Sequence, residues 1–579
     1  MNSIGFDYFR RFENFPELDL GEINLLVGGN NSGKSTLVKA LLLCVDNLRI
    51  ISVNNSNKQI NKPQFRFDAN EWHDVKIKTF SRAIYNKQLS NSLENAEAYP
   101  SSIVFKFSIE GFRFEIVVEG NKDTDSTTGD ISCFSIEDRT NMVKYKVDYV
   151  THSMDYIALG ETSEEETLIK KLYIDYKNAT AKLEQLSDAF ADIAEISAQN
   201  EKIESLKQKI SELLGVSEET DDDFDYEKAL RDAFKENSKS QYKEYIYSLP
   251  FEDYTDVVDE NLFVHAIGNF IRIANNPGTE PPQNVYEPSE YLALMQEWQR
   301  IKDTRKFLHQ EVGRIERSRK ALAELLSRIR VEYISAHAAN QNTIYNTADK
   351  NDYIAQTVHE FHRNRIYPGE SEDLFIRDWM KRFDIGESYT IDTMAGEAYR
   401  VHVKEFDGAS VNLADKGMGS IQMMILLFRL ATIVRKYNLA NAEIVKDLVY
   451  RNELKPLILI EEPEQNLHPK MQSLLADLFF EMNNKYGCRF IVETHSEYLI
   501  RKTQVIVAEM DYKDEEEMMA NNPFKVYFFE MDAIDGVRNM QYFISGAFKD
   551  KFGEGFFDEA AKSDMTIIKK EFELKKKFK

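Results

Sequence analysis

Near the start of the chain, glycines, a lysine and two hydroxyls stand in an order that can hold phosphate: Gly28-Gly29-Asn30-Asn31-Ser32-Gly33-Lys34-Ser35-Thr36. Gly28 to Ser35 fits G-x-x-x-x-G-K-[ST] at every fixed position. The glycines let backbone N–H groups cradle phosphate oxygens at a helix N-terminus, Lys34 reaches the β/γ-phosphates, and Ser35 offers its hydroxyl to Mg²⁺. Candidate contacts to ATP are therefore Gly28, Asn30, Asn31, Ser32, Gly33, Lys34, Ser35 and Thr36. Far downstream, the apolar run Leu457-Ile458-Leu459-Ile460 ends in Glu461-Glu462. The first carboxylate suits Mg²⁺, held through water, and the second suits a base that polarises an attacking water. Most chains of this pattern carry Asp at the first position, so Glu461 is a departure. A second apolar strand leads into Glu493-Thr494-His495-Ser496. A neutral imidazole at His495 can hydrogen-bond a γ-phosphate and so distinguish ATP from ADP.

A fourth segment, Asp415-Lys416-Gly417-Met418-Gly419-Ser420-Ile421-Gln422, precedes an apolar helix. Its glycines make another anion cradle, with Asp415, Gly417, Gly419 and Ser420 as candidate contacts. This cradle cannot share a face with the first one of its own head. Its expected target is ATP held by a second subunit.

The elements that must position these residues follow from apolar patterning. Glu22 to Val27 is a short apolar run that meets the glycine turn, and the residues from Lys34 onward are helical. Ile103–Ile109 and Phe112–Val118, flanking Glu110-Gly111, predict a β-hairpin. Pro456–Ile460 and Cys488–Val492 are near-continuous apolar strands, which belong in the buried middle of a parallel sheet. Between the two halves the pattern changes. Leu172, Tyr176, Ala179, Leu183, Leu186, Phe190 and Ile193 follow a coiled-coil seam that slips and resumes from Ile203 to Leu213. A second heptad run extends from Leu294 to Ile329. Two arms suggest an antiparallel pair, the alternative being a helical lid packed as a bundle, and a mixed helical segment lies between them.

Composition bounds the function. The 579-residue chain is 42% hydrophobic and 29% charged, with a net charge of −24. That balance argues against a surface built generally to wrap nucleic acid, though it leaves room for a local basic groove. Lys569-Lys570 and Lys575 to Lys579 form a basic tail whose simplest meaning is a solvated terminus. Three dispersed cysteines give no disulfide framework or zinc spacing. No apolar run approaches the roughly 18 to 20 residues that span a bilayer, and no signal-peptide core opens the chain, so a cytoplasmic protein without a membrane partner is expected.

Taken together, the motifs resemble those of ABC-type AAA ATPases of the overcoming-lysogenisation-defect group, and more distantly of RecF, Rad50 and SMC heads. The run LILIEEPEQNLHP, Leu457 to Pro469, is similar to that group's Walker B and D-loop, and Asp415 to Gln422 to its signature motif. Glu332 to His337 and Gly555 to Glu559 are also similar to segments of the group. The signature lacks the usual serine at the start of its glycine pair, where Ser420 is the substitute, and no Q-loop glutamine stands out around Trp72 to Asn86. Only 84 residues follow His495, with no strand-end Glu paired to a later Asp-x-Asp, so a TOPRIM nuclease domain is not expected in this chain. The resemblance therefore implies the regulator half of a bacterial anti-phage system of the Septu, PARIS or retron-associated kind, acting through a separate effector nuclease or toxin.

The expected architecture is α/β: an ABC-type P-loop ATPase head split in sequence, residues 1–158 and 331–579, around a helical or coiled-coil insert at 159–330. Glu462 and His495 are the catalytic candidates, and Ser35 and Glu461 the metal candidates. ATP and Mg²⁺ are the expected cofactors, with a homodimer or higher homo-oligomer as the working form. Two other readings fit the same residues: a DNA-clamping repair or recombination ATPase, and an ATP-dependent scaffold in which turnover is incidental.

Overall fold

The computed structural model describes residues 1–51, 62–68, 77–85, 101–120, 125–161, 242–250, 261–276, 288–335, 342–349, 352–447, 455–530, 536–553 and 565–571, with isolated positions in 180–209 and at 563. The first heptad arm falls mostly outside these residues. The segment 555–559 and the end of the basic tail lie outside them entirely. The chain forms two compact units, one of residues 1–134, 253–268 and 317–579, the other of 135–252 and 269–316.

The first unit is built on a six-stranded sheet ordered Val331–Ile334, Leu457–Glu461, Arg489–Glu493, Ile23–Gly28, Phe524–Phe529, Val537–Met540. The first five strands are parallel and the last is antiparallel. Ile23–Gly28 is buried at all six positions, so apart from Asn24 it is apolar without the alternation of a half-exposed strand. Helix boundaries obey local chemistry. Pro469 opens the helix Pro469–Tyr486 behind the capping residue His468, and Gly487, at φ 66°, ends it. Trp379, on the helix Ser371–Arg382, is fully buried in the same core as Phe428, Phe479 and Phe490.

Met418–Asp447 is the longest helix of this core. Its segment Met418–Asn441 is long and apolar enough to cross a bilayer by length and composition, at a mean hydropathy of 1.4, which corrects the expectation that no such run exists. The reason for its apolarity is burial: 72% of the apolar window is inside the protein. Phe428 stacks on Phe361 at 4.5 Å, and Arg429 pairs with Glu332 and Glu360.

A second, antiparallel set of strands joins Phe12–Asp19 to Ser3–Phe9, Ser102–Ile109 and Phe112–Glu119. The predicted hairpin is present, with Glu110 and Gly111 at φ 44° and 88° making its tight turn. Phe6, Phe9, Phe12 and Phe15 pack edge to face or stacked on one another. Phe15 also stacks on Phe529, at 6.1 Å between centroids, which ties this hairpin to the parallel sheet.

In the second unit Val143–Asp148, Ser153–Glu161 and Tyr242–Pro250 form an antiparallel meander. Tyr242–Pro250 is a strand where a mixed helical segment is expected. Tyr245 and Ile246 are both exposed there, so the sequence carries no alternation to mark it. The second heptad run lies on the 41-residue helix Pro288–Arg328. Within this unit Phe307 stacks on Tyr247 at 3.8 Å, and Tyr156 donates a hydrogen bond to Glu311 at 2.9 Å.

Candidate functional site

The site lies where the parallel strands end, the edge at which open α/β sheets bind ligands. Ile23–Gly28 delivers the glycine loop there. Gly28 and Gly33 have φ of +146° and +112°, conformations that side-chain-bearing residues avoid. A Cβ on Gly28 would stand 2.5 Å from the Phe529 carbonyl oxygen, and one on Gly33 would strike the Phe12 ring. The loop is thus pinned between the strand Phe524–Phe529 and the hairpin turn at Phe12. No side chain caps the helix Lys34–Ile50 that follows, so its first N–H groups face the loop's concavity.

Lys34 is 3% exposed, and its Nζ donates to the Gly28 and Gly29 carbonyls at 3.0 Å each. Burial lowers its pKa, an effect opposed by the carboxylate of Glu493. Ser32 Oγ is buried without a hydrogen-bond partner in the protein. Ser35 Oγ donates to both carboxylate oxygens of Glu493, at 2.9 and 3.0 Å.

The strand order decides what stands beside the loop. Arg489–Glu493 lies between the loop strand and Leu457–Glu461, and in register Glu493 is opposite both Glu461 and Leu26. Burial pushes the Glu493 carboxyl up to about 7, against the pull of Lys34. Glu462 follows in the left-handed region at φ 42°, its N–H held by the Glu493 carbonyl at 2.7 Å. Its carboxylate accepts from the Gln465 amide and lies 3.7 Å from His495 Nε2. Burial, and then Lys34, lowers the His495 pKa, so the ring is neutral near neutral pH and this approach is not an ion pair.

Glu464 is buried behind these groups. Its Oε1 accepts the His495 backbone N–H at 2.6 Å, its Oε2 is buried without a partner, and burial raises its pKa. Ser496 caps the next helix by accepting from Leu499 N–H and donates to Gln472 at 2.6 Å. His495 is therefore held by its backbone from the Glu464 side and by the cap beyond it.

Gly28–Thr36, Glu461, Glu462 and His495 thus converge on one edge. Asp415–Ser420 stands apart: no hydrogen bond or ion pair among the described residues joins it to the loop. It packs on the turn after Glu462 instead. A Cβ at Gly419 would lie 2.7 Å from the Asn466 carbonyl oxygen, and Asn466 Nδ2 donates to Gln422 at 3.3 Å. Gly417, Gly419, Ser420, Asn466 and His468 border an open cavity of about 180 Å³.

These groups fit a polyphosphate with a divalent cation. An uncapped helix start, a buried unpaired Ser32 hydroxyl and a buried ammonium match phosphate oxygens. Ser35 and the strand-end carboxylates are oxygen ligands of the kind Mg²⁺ prefers. Among the described residues no three His, Cys, Asp or Glu side chains cluster tightly enough to hold a metal alone. That suits a cation whose shell is completed by substrate phosphates and water.

Residues 1–500 match the family model for an AAA ATPase domain, AAA_15. The chain belongs to this AAA ATPase family. The fold is accordingly that of a P-loop ATPase head. No curated protein matches the sequence at a significant level. Among solved structures, the AAA ATPase chain is similar to an Smc head domain with an extended coiled coil, bound to the C-terminal domain of ScpA, from Pyrococcus furiosus. That match has 12% identity over 93% of this chain and 96% of that one, with a TM-score of 0.29. An Smc head with a coiled coil and joint from Pyrococcus yayanosii matches at 11% identity, covering 94% and 97%, with a TM-score of 0.30. The SMC head from Thermotoga maritima matches at 7%, covering 93% and 98%, also with a TM-score of 0.30. At these scores the likeness is loose.

Three residues of the AAA ATPase site carried no role in the sequence reading: Phe12, Glu464 and Glu493. Phe12 belongs to a hairpin remote in sequence, and no spacing rule connects it to Gly33. Glu464 and Glu493 stand inside motifs already singled out, and an acidic residue closing an otherwise apolar buried strand was the available signal for Glu493.

Proposed function

We propose that the chain binds ATP with Mg²⁺ at Gly28–Thr36, hydrolyses it, and closes head to head on a second copy. Each nucleotide is then sandwiched between Gly28–Thr36 of one subunit and Asp415–Ser420 of the other. The observation that carries this reading is the sheet order: it gathers the glycine loop, Glu461, Glu462 and His495 on one edge, while no hydrogen bond or ion pair among the described residues joins Asp415–Ser420 to that loop.

Lys34 exchanges its two loop carbonyls for phosphate oxygens, and the loop N–H groups and Ser32 hydroxyl take the remaining oxygens. Ser35 and Glu461 hold the cation. Mg²⁺, when bound, neutralises charge on the phosphates as transfer proceeds. Glu462 orients the attacking water and accepts its proton, and neutral His495 hydrogen-bonds the terminal phosphate. The decisive experiment is the mass of Glu462→Gln in ATP and in ADP.

Gly419→Ala separates the second cradle from the first. The new Cβ pushes the start of the helix Met418–Asp447 off the Asn466 carbonyl, so ATP binding to single subunits is expected to stay within a factor of about two. Turnover is expected to fall by about 100-fold, because the facing subunit's cradle is displaced. Nucleotide titration beside steady-state turnover measures both, and an equal loss in the two would place Gly419 in the subunit's own ATP site.

The resemblance carried by Leu457–Pro469 and Asp415–Gln422 extends the reading to a regulator of anti-phage defence. ATP-closed and ADP-open dimers are the two states through which a trigger releases an effector. Tagged Glu462→Gln purified in ATP from its native host is expected to bring down a nuclease or toxin in stoichiometric amount. Recovery of DNA alone would replace this role with a DNA clamp.

A further inference from the structure

Glu493 is 6% exposed at the end of an apolar strand, where an aliphatic side chain would be buried without desolvating a charge. Its neighbours are chosen for a charge. Ser35 donates to both of its oxygens, and Lys34 Nζ lies 4.0 Å from Oε1. Because its strand separates the loop strand from Leu457–Glu461, it stands in register with Glu461, between the two candidate metal residues of the chain.

A serine hydroxyl has one proton and two lone pairs. With the proton given to Glu493, the lone pairs of Ser35 are turned away from that carboxylate and are free for a cation. Without this acceptor the hydroxyl rotates, and its proton can point at a phosphate oxygen or at the cation's position. When ionised, Glu493 acts in the same direction: it repels bare phosphate beside Lys34 and favours phosphate that arrives with a cation. Resting on the Mg-ATP reading above, we propose that Glu493 is a positioning residue that orients the Ser35 hydroxyl for Mg²⁺ and makes nucleotide binding depend on the metal. Partners of this kind behind a metal ligand typically change metal affinity by about 10- to 100-fold when removed.

The test is a titration of the full chain with a fluorescent ATP analogue at increasing MgCl₂, and again in EDTA. Glu493→Ala is expected to raise the Mg²⁺ concentration at half-maximal binding by about 10- to 100-fold, with binding in EDTA equal to or tighter than that of the wild type. Glu493→Gln keeps a carbonyl that accepts from Ser35 but loses the charge, so its Mg²⁺ midpoint is expected between the other two. Its near-identical shape also guards against a folding defect in the alanine variant. A wild-type Mg²⁺ midpoint in both variants, or EDTA binding that weakens in step with Mg²⁺ binding, overturns the proposal and leaves the ATP reading standing. A wild-type chain that binds no analogue at any MgCl₂ concentration overturns both.

Discussion

In ATP, Glu462→Gln is expected to run as a particle of twice the 67.3 kDa chain mass, and in ADP as a single chain. The substitution preserves shape and removes charge. Glu462 sits at φ 42°, a conformation that costs about 1 to 3 kcal/mol for such a residue and persists only where surrounding bonds enforce it. Here the Glu493 carbonyl holds its N–H, and the Gln465 amide and the His495 ring flank its carboxylate. Glutamine can occupy that frame and still orient a water, but it cannot take the water's proton. Turnover should fall by about 100- to 10,000-fold, while phosphate contacts and the subunit interface remain. The closed state then accumulates because its exit is blocked. Light scattering in each nucleotide measures the mass directly, and equal masses in ATP and ADP would remove the sandwich from the proposed function.

Lys34→Ala has the second largest expected effect, on binding rather than turnover. Lys34 is the one buried ammonium inside the loop, and it spans Gly28 and Gly29 at 3.0 Å each. When ATP binds, those donors move to phosphate, where each charge-assisted bond is worth about 1.5 to 3 kcal/mol. Losing two of them predicts an affinity drop of about 100-fold or more. The truncation also leaves Glu493 buried without its nearest cation, so the loop should be less ordered before nucleotide arrives. Isothermal titration with ATP and Mg²⁺ measures the loss. Affinity within about threefold of the wild type would mean that phosphate does not occupy the loop in this orientation.

The two expectations separate at the dimer: Lys34→Ala stays at single-chain mass in either nucleotide, whereas Glu462→Gln changes mass between them. Both depend on residues whose types were readable directly. A G-x-x-x-x-G-K-S loop between an apolar strand and a helix, and a carboxylate pair closing LILI, declare their chemistry locally, because every part of the signal lies within a few residues. The hairpin around Glu110-Gly111 is legible for the same reason. The helix Met418–Asp447 is legible as an apolar helix but its place is not, since apolarity for burial against a sheet and apolarity for a bilayer look alike in sequence, and only the packing of Phe428 and Arg429 separates them.

Sequence alone determined that this chain carries a phosphate loop, a strand-end carboxylate pair, a histidine after a third strand and a second glycine cradle, because these are properties of consecutive residues. Only the tertiary structure decided which of them meet. The insertion of Arg489–Glu493 between the loop strand and the carboxylate strand turned Glu493 toward Ser35 and Lys34. The packing of Gly419 on Asn466 set the second cradle apart from the first. The physical reason is that strand order and helix packing are fixed by burial summed over the whole core, in which residues hundreds of positions apart become neighbours, and no local pattern records that sum.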